Sequence, residues 1–159
     1  LDVNHGAPVP RGFVYRLRHD QVFFSGEPAT EPAFTAAVEA AAQPDDGLLT
    51  ITAATHGRSE LWLMDPAARE LLSRLCGLDL HPDYFPQQTA RQTSVAKTKQ
   101  LVIHTTVAQC PVYALIGARS LGAYLWQTIV QAAHDLDLQF HGEAFMEALA
   151  HPKERDAGS

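Results

Sequence analysis

Carboxylates are missing from the middle of this chain. From Tyr84 to His134 there is no Asp or Glu, so a site built there has no carboxylate for acid–base work or for holding a hard cation. Glycine-rich phosphate loops are missing too. Neither GxGxxG nor the Walker pattern occurs, and the nearest glycine pair, Gly117 and Gly122, brackets Ala-Arg-Ser-Leu. A flavin or nicotinamide held by this chain alone is therefore not expected. No GxSxG elbow exists, since Ala118 stands two residues before Ser120; Ser120 reads as a helix cap ahead of an apolar helical run. Cysteine is scarce. Cys76 and Cys110 have no CxxC spacing, which fits small apolar packing residues in a reducing compartment, and a cytoplasmic location is expected. No apolar run approaches the roughly 18 residues of a membrane-spanning helix, and no signal-peptide pattern is visible. Positive charge is in deficit: the formal net charge is −6, the wrong sign for nucleic acid or an anionic membrane surface.

What is present suits one soluble α+β domain. The length of 159 residues, 46% of them hydrophobic, is enough to bury a core without staples. Residues 1–12 carry Gly and Pro at turn density and read as an extended arm. Phe13–Phe24 alternates around polar Arg18–Gln21 and reads as a hairpin. Thr30, with Pro32 in the first turn, reads as the cap of a helix bearing Phe34, Ala37, Val38 and Ala41. Leu48–Ala54 and Glu60–Met64 are strand-like runs around the turn His-Gly-Arg-Ser. Asp65-Pro66 starts a second helix with an apolar face of Leu71, Leu72 and Leu75, and Gly77 suits its left-handed stop.

Two prolines keep residues 78–88 out of regular structure. Thr89–Val95, Lys99–Thr106 and Val112–Gly117 read as strands. A last major helix follows Ser120, with Leu121, Leu125, Ile129, Ala132 and Leu136 at helical spacing, then a short helix near Glu143–Ala150. The order predicts an antiparallel or mixed sheet with helices packed mainly on one side. The expected division is an arm at 1–12, a domain at 13–150 and a flexible tail at 151–159.

Polar clusters are few. Asp79, His81 and Asp83 alternate, but Pro82 interrupts them and no second ligand cluster accompanies them, so a solvated loop is expected and no metal site. Between Asp83 and Asp135 the only formal charges are Arg91, Lys97, Lys99 and Arg119. On an unbroken strand Arg91, Lys97 and Lys99 would share one face. That face is either solvated or a patch for a carboxylate-bearing ligand or an acidic partner. Arg119 is placed to meet a partner's carboxylate bidentately.

Three segments carry a resemblance: Leu-Asp-Leu-His-Pro-x-x-Phe-Pro at 78–86, Ala-Arg-Gln-Thr at 90–93, and Arg-Ser-Leu-x-x-Tyr-Leu at 119–125. Over roughly residues 50–136 the chain resembles the gamma subunit of heterotetrameric sarcosine oxidase, within the T-protein-like folate-binding superfamily that includes the glycine-cleavage aminomethyltransferase. The resemblance implies the first domain of that fold. It also implies an accessory subunit of a complex that demethylates sarcosine or a related N-methyl amine oxidatively, with tetrahydrofolate as one-carbon acceptor. FAD, FMN, NAD and tetrahydrofolate are then expected in the larger partner subunits, with none bound by this chain alone. The catalytic aspartate of the transferases has no counterpart in the acid-free stretch, and the KGCYxGQE motif of the related iron–sulfur maturation proteins is absent. No catalytic residue is carried over. Tyr84, Phe85, Arg91, Arg119 and Tyr124 are the expected interface residues, with further aromatic contact surface near Trp126, and Lys97 and Lys99 are the candidates for touching a cofactor. The competing expectations are a stand-alone folate-binding or aminomethyltransferase-like domain, and a piece of a longer fused chain, since Leu1 is not Met.

Overall fold

Two apolar runs decide the architecture. Leu101–His104 and Val112–Gly117 are buried at every position rather than at every second one, the mark of strands covered on both faces. The computed structural model describes residues 1–27, 29–43, 47–64, 66–107 and 109–142. It places these runs at the centre of a four-stranded antiparallel sheet.

In chain order the elements are β1 (Gly6–Val9), β2 (Gly12–Arg18), β3 (Gln21–Gly26), α1 (Glu31–Ala41), β4 (Arg58–Met64), α2 (Ala67–Leu75), β5 (Thr89–Val95), β6 (Thr98–Val107), β7 (Cys110–Ala118) and α3 (Gly122–Ala132). The large sheet runs β4-β7-β6-β5, and a smaller one runs β1-β2-β3. Every described pairing is antiparallel. One face of the large sheet, through Val95, Val102, Tyr113 and Leu115, meets Leu71 and Leu72 of α2 and Leu125 and Ile129 of α3. Its other face, through Ala90, Leu101, Ile103, Ala114 and Ile116, packs on Tyr15 and Leu17 of the small sheet. Helix α1 lies apart, its Phe34 ring stacked on Phe24 at 3.9 Å.

The expected arm holds β1. Pro8 sits there opposite Phe13, which an edge strand tolerates because its missing N–H faces away from the ladder. Where it begins, the Ala90 amide donates to Asn4 O and the Gly6 amide to Gln88 O, so this segment stitches the two sheets together.

The expected hairpin of 48–54 with 60–64 does not form. Residues 48–54 carry no described strand, and β4 pairs with β7, Arg58 opposite Ala118 through Met64 opposite Val112. β-propensity records how well side chains fit a pleated surface, and it does not supply a partner.

Three capping expectations are also corrected. The Thr30 hydroxyl closes the preceding turn by donating to Glu27 O at 2.6 Å and does not cap α1. Helix α2 stops where Cys76 turns extended, and Gly77 is not among the residues with positive φ. Ser120 falls within a short 3-10 turn, Arg119–Leu121, ahead of α3 and makes no capping bond. There Gly122 packs against Ser59, where an added Cβ would lie 3.1 Å from the serine side chain, so tertiary fit sets the helix start. The Asp65 cap, the helix near 143–150 and the tail lie outside the described residues. Among those described, no helix is long and apolar enough to cross a membrane.

Candidate functional site

The expected site residues fall into three places. Phe85 is in the core. It is 0% exposed, its ring runs parallel to His104 and Tyr113 at centroid distances of 5.9 and 6.3 Å, and it cannot offer contact surface to a partner. The correction has a local cause: the chain turns at His81–Phe85, with the Phe85 amide donating to His81 O, and this drives Phe85 inward while Tyr84 points out at 64% exposure.

Arg91 lies beside Tyr84 on the helix-facing side of β5. Its Nη2 donates to Tyr84 O at 3.2 Å, and its buried Nε has no hydrogen-bond partner among the described atoms.

The third place is one end of the large sheet, where Lys97, Lys99 and Arg119 gather. The sequence expectation of a common face for Arg91 and Lys99 fails for a geometric reason. Ala96 and Lys97, at φ 49° and 62°, form a two-residue turn that pairs Val95 with Thr98. Directly opposed residues share a face, so Arg91 sides with Val102 and Lys99 with Ser94, on opposite faces of the sheet. Arg119 follows β7 and donates Nη1 to His56 O at 3.4 Å. Tyr124, 45% exposed, stands at the start of α3 near the same end. Trp126, two residues on, points about 200° away around the helix axis, where its ring meets Phe140 at 5.0 Å.

Sequence reading missed two residues. His104 is buried between Phe85 and Tyr113, with its ring 4.6 Å from Tyr113. Its Nδ1 lies 2.9 Å from Phe85 O; a carbonyl only accepts, so Nδ1 carries the proton and pins the 78–86 loop to β6. The signal was available: His104 occupies an inward position two residues from Val102. Arg58 was the other omission. Nothing in the sequence brings it to the cationic end, because only the β4–β7 register does so.

The enclosed space lies elsewhere. A groove of about 1070 Å³ runs between β4, α2, α3 and residues 136–142, walled by Leu61, Leu63, Leu71, Trp126, Ile129 and Phe140. Its described lining contains Glu60 and Asp137 but no Lys or Arg, so it does not suit a polyanionic cofactor. A shallower cleft between α2 and the 78–81 loop has Arg69 accompanied by Glu70 and Asp79. There the Asp79 carboxylate accepts the His81 amide at 2.9 Å.

Two titrating groups stand out. Arg74 bridges Glu70 and Asp135, joining α2 to the end of α3, and its hydrogen bond pushes the Asp135 carboxyl down to about 2. Burial, with the Glu60 charge nearby, pushes the Tyr15 hydroxyl up to about 12. An unfolded tyrosine ionises near pH 10, so the stabilisation is complete below about pH 10 and is lost as pH rises from there towards 12. Urea midpoints should fall between about pH 10 and pH 12 in the wild type, and Tyr15→Phe should flatten that fall. An unchanged slope in the variant would assign it to other groups.

Two antiparallel sheets face to face, with helices on the outer side of the larger one, define a T-protein-like α+β fold. The chain belongs to the GCVT N-terminal domain family, which matches residues 4–153. No curated protein matches it. Among solved structures it is similar to a chain of heterotetrameric sarcosine oxidase from Corynebacterium sp. U-96 in complex with pyrrole 2-carboxylate. That match has a TM-score of 0.70 and 21% identity, covering 89% of this chain and 69% of that one. At that identity the likeness establishes the fold.

Proposed function

We propose that this chain is an accessory, gamma-type subunit of a cytoplasmic sarcosine-oxidase-like complex. That complex oxidatively demethylates sarcosine or a related N-methyl amine, with tetrahydrofolate accepting the one-carbon unit. The observation that carries the reading is the extent of the structural match. Because 89% of this chain spans 69% of its counterpart, the counterpart is itself a short chain of a multisubunit oxidase. Chemistry supports the same role: strands β5, β6 and β7 contain no carboxylate, and the described lining of the groove between β4, α2 and α3 lacks the cations an anionic cofactor needs. FAD, FMN, NAD and tetrahydrofolate then belong to the larger subunits, and this chain contributes surface.

Native purification from the source cell tests this. The expected result is a yellow complex with larger polypeptides and a flavin absorbance spectrum. A colourless protein recovered alone would overturn the reading and turn attention to tetrahydrofolate titration of the isolated chain. A second reading, a domain of one longer fused polypeptide, is favoured by the family's description as an N-terminal domain. The intact mass of the native polypeptide separates the two.

A further inference from the structure

The sheet register builds a cationic row that the sequence does not display. Arg58 pairs with Ala118, and Ser94 pairs with Lys99. One step beyond the Gln100–Gly117 pair, Lys99 lies alongside Ala118. The row across all four strands is therefore Arg58, Ala118, Lys99, Ser94, with every side chain on one face. Arg58 and Lys99 stand two strand spacings apart, about 10 Å, across the bare methyl of Ala118. Arg119 and Lys97 extend the cluster past the strand ends. All four cations are exposed, and none of them forms an ion pair among the described residues. Glu60, two residues along β4 from Arg58, accepts from Trp62 Nε1, and Glu31 accepts from Thr55 Oγ1.

Resting on the accessory-subunit reading, we propose that this sheet end docks an acidic segment of a larger partner polypeptide. Charge complementarity names the chemistry: unpaired cations concentrate here on a chain whose net charge is −6, and such a patch steers and orients a negative surface. The shape favours a polypeptide over a small anion. The two described clefts do not include any of these four residues, and the cations spread across an open surface. Exposed Leu121 and Tyr124 stand at the same end, supplying the apolar and aromatic contact that protein interfaces favour.

Zero-length carbodiimide cross-linking of the native complex, followed by mass spectrometry, tests the contact directly. It should join Lys97 or Lys99 to an Asp or Glu of another polypeptide. The double variant R58E/K99E, exposed and expected to keep the wild-type melting temperature, should bind the larger subunits at least ten-fold more weakly, with slower association. Arg18→Glu, the same kind of charge change at the far hairpin, should stay within two-fold. Wild-type affinity in R58E/K99E would overturn this surface and leave the accessory-subunit reading standing. Cross-links confined to this chain's own carboxylates or to a second copy of it would overturn the surface as well. A wild-type protein that binds no larger subunit would overturn both.

Discussion

Replacing Phe85 with alanine should destabilise the folded chain by about 3–5 kcal/mol, the usual cost of deleting a buried aromatic ring. The ring is fully buried, parallel to His104 and Tyr113, and belongs to the cluster that includes Leu72, Val102, Leu115 and Leu125. Its loss opens a cavity beneath the 78–86 loop and loosens the carbonyl that accepts the His104 Nδ1–H. Tyr84→Ala, next door and exposed, should stay within about 0.5 kcal/mol, as surface changes usually do. Urea denaturation of the two variants separates them. Equal, small losses would return Phe85 to the surface and make it available to a partner.

Gly117→Ala should cost about 2–4 kcal/mol, combining overpacking with disruption of a buried polar group. Gln100 lies opposite Gly117 across β6 and β7, and its carboxamide occupies the space where a Cβ at residue 117 would stand. The side chain is 1% exposed and donates to Thr98 Oγ1 at 2.9 Å, so moving it away sacrifices a buried hydrogen bond. The pair should be coupled: Gly117→Ala combined with Gln100→Ala should be less destabilised than the sum of the single variants. Additive effects would mean that the glycine is required for some other reason.

Elements with a strong local signal were legible. The hairpin around Arg18–Gln21, the three strands from Thr89 to Ala118, and the apolar faces of α2 and α3 follow from periodicity, because each pattern matches one repeat geometry. Capping was legible only in part. Thr30, Gly77 and Ser120 have the right chemistry at the right places, yet close packing and turn geometry outweigh single hydrogen bonds worth about 1 kcal/mol each. For the candidate surface, the chain order names Lys97, Lys99, Arg119 and Tyr124, and the acid-free stretch fixes the sign of the patch.

Composition and order thus determined an α+β domain without a carboxylate site in its central strands, since a residue type that is absent cannot be restored by folding. Only the tertiary structure decided the rest. It split the strands into two packed sheets, gave β4 the distant β7 as partner in place of 48–54, and sent Phe85 inward and Tyr84 outward. It also separated Arg91 from Lys99 and set Arg58 beside Lys99. Each of these outcomes depends on register between segments far apart in sequence, where a shift of one residue exchanges the two faces of a sheet.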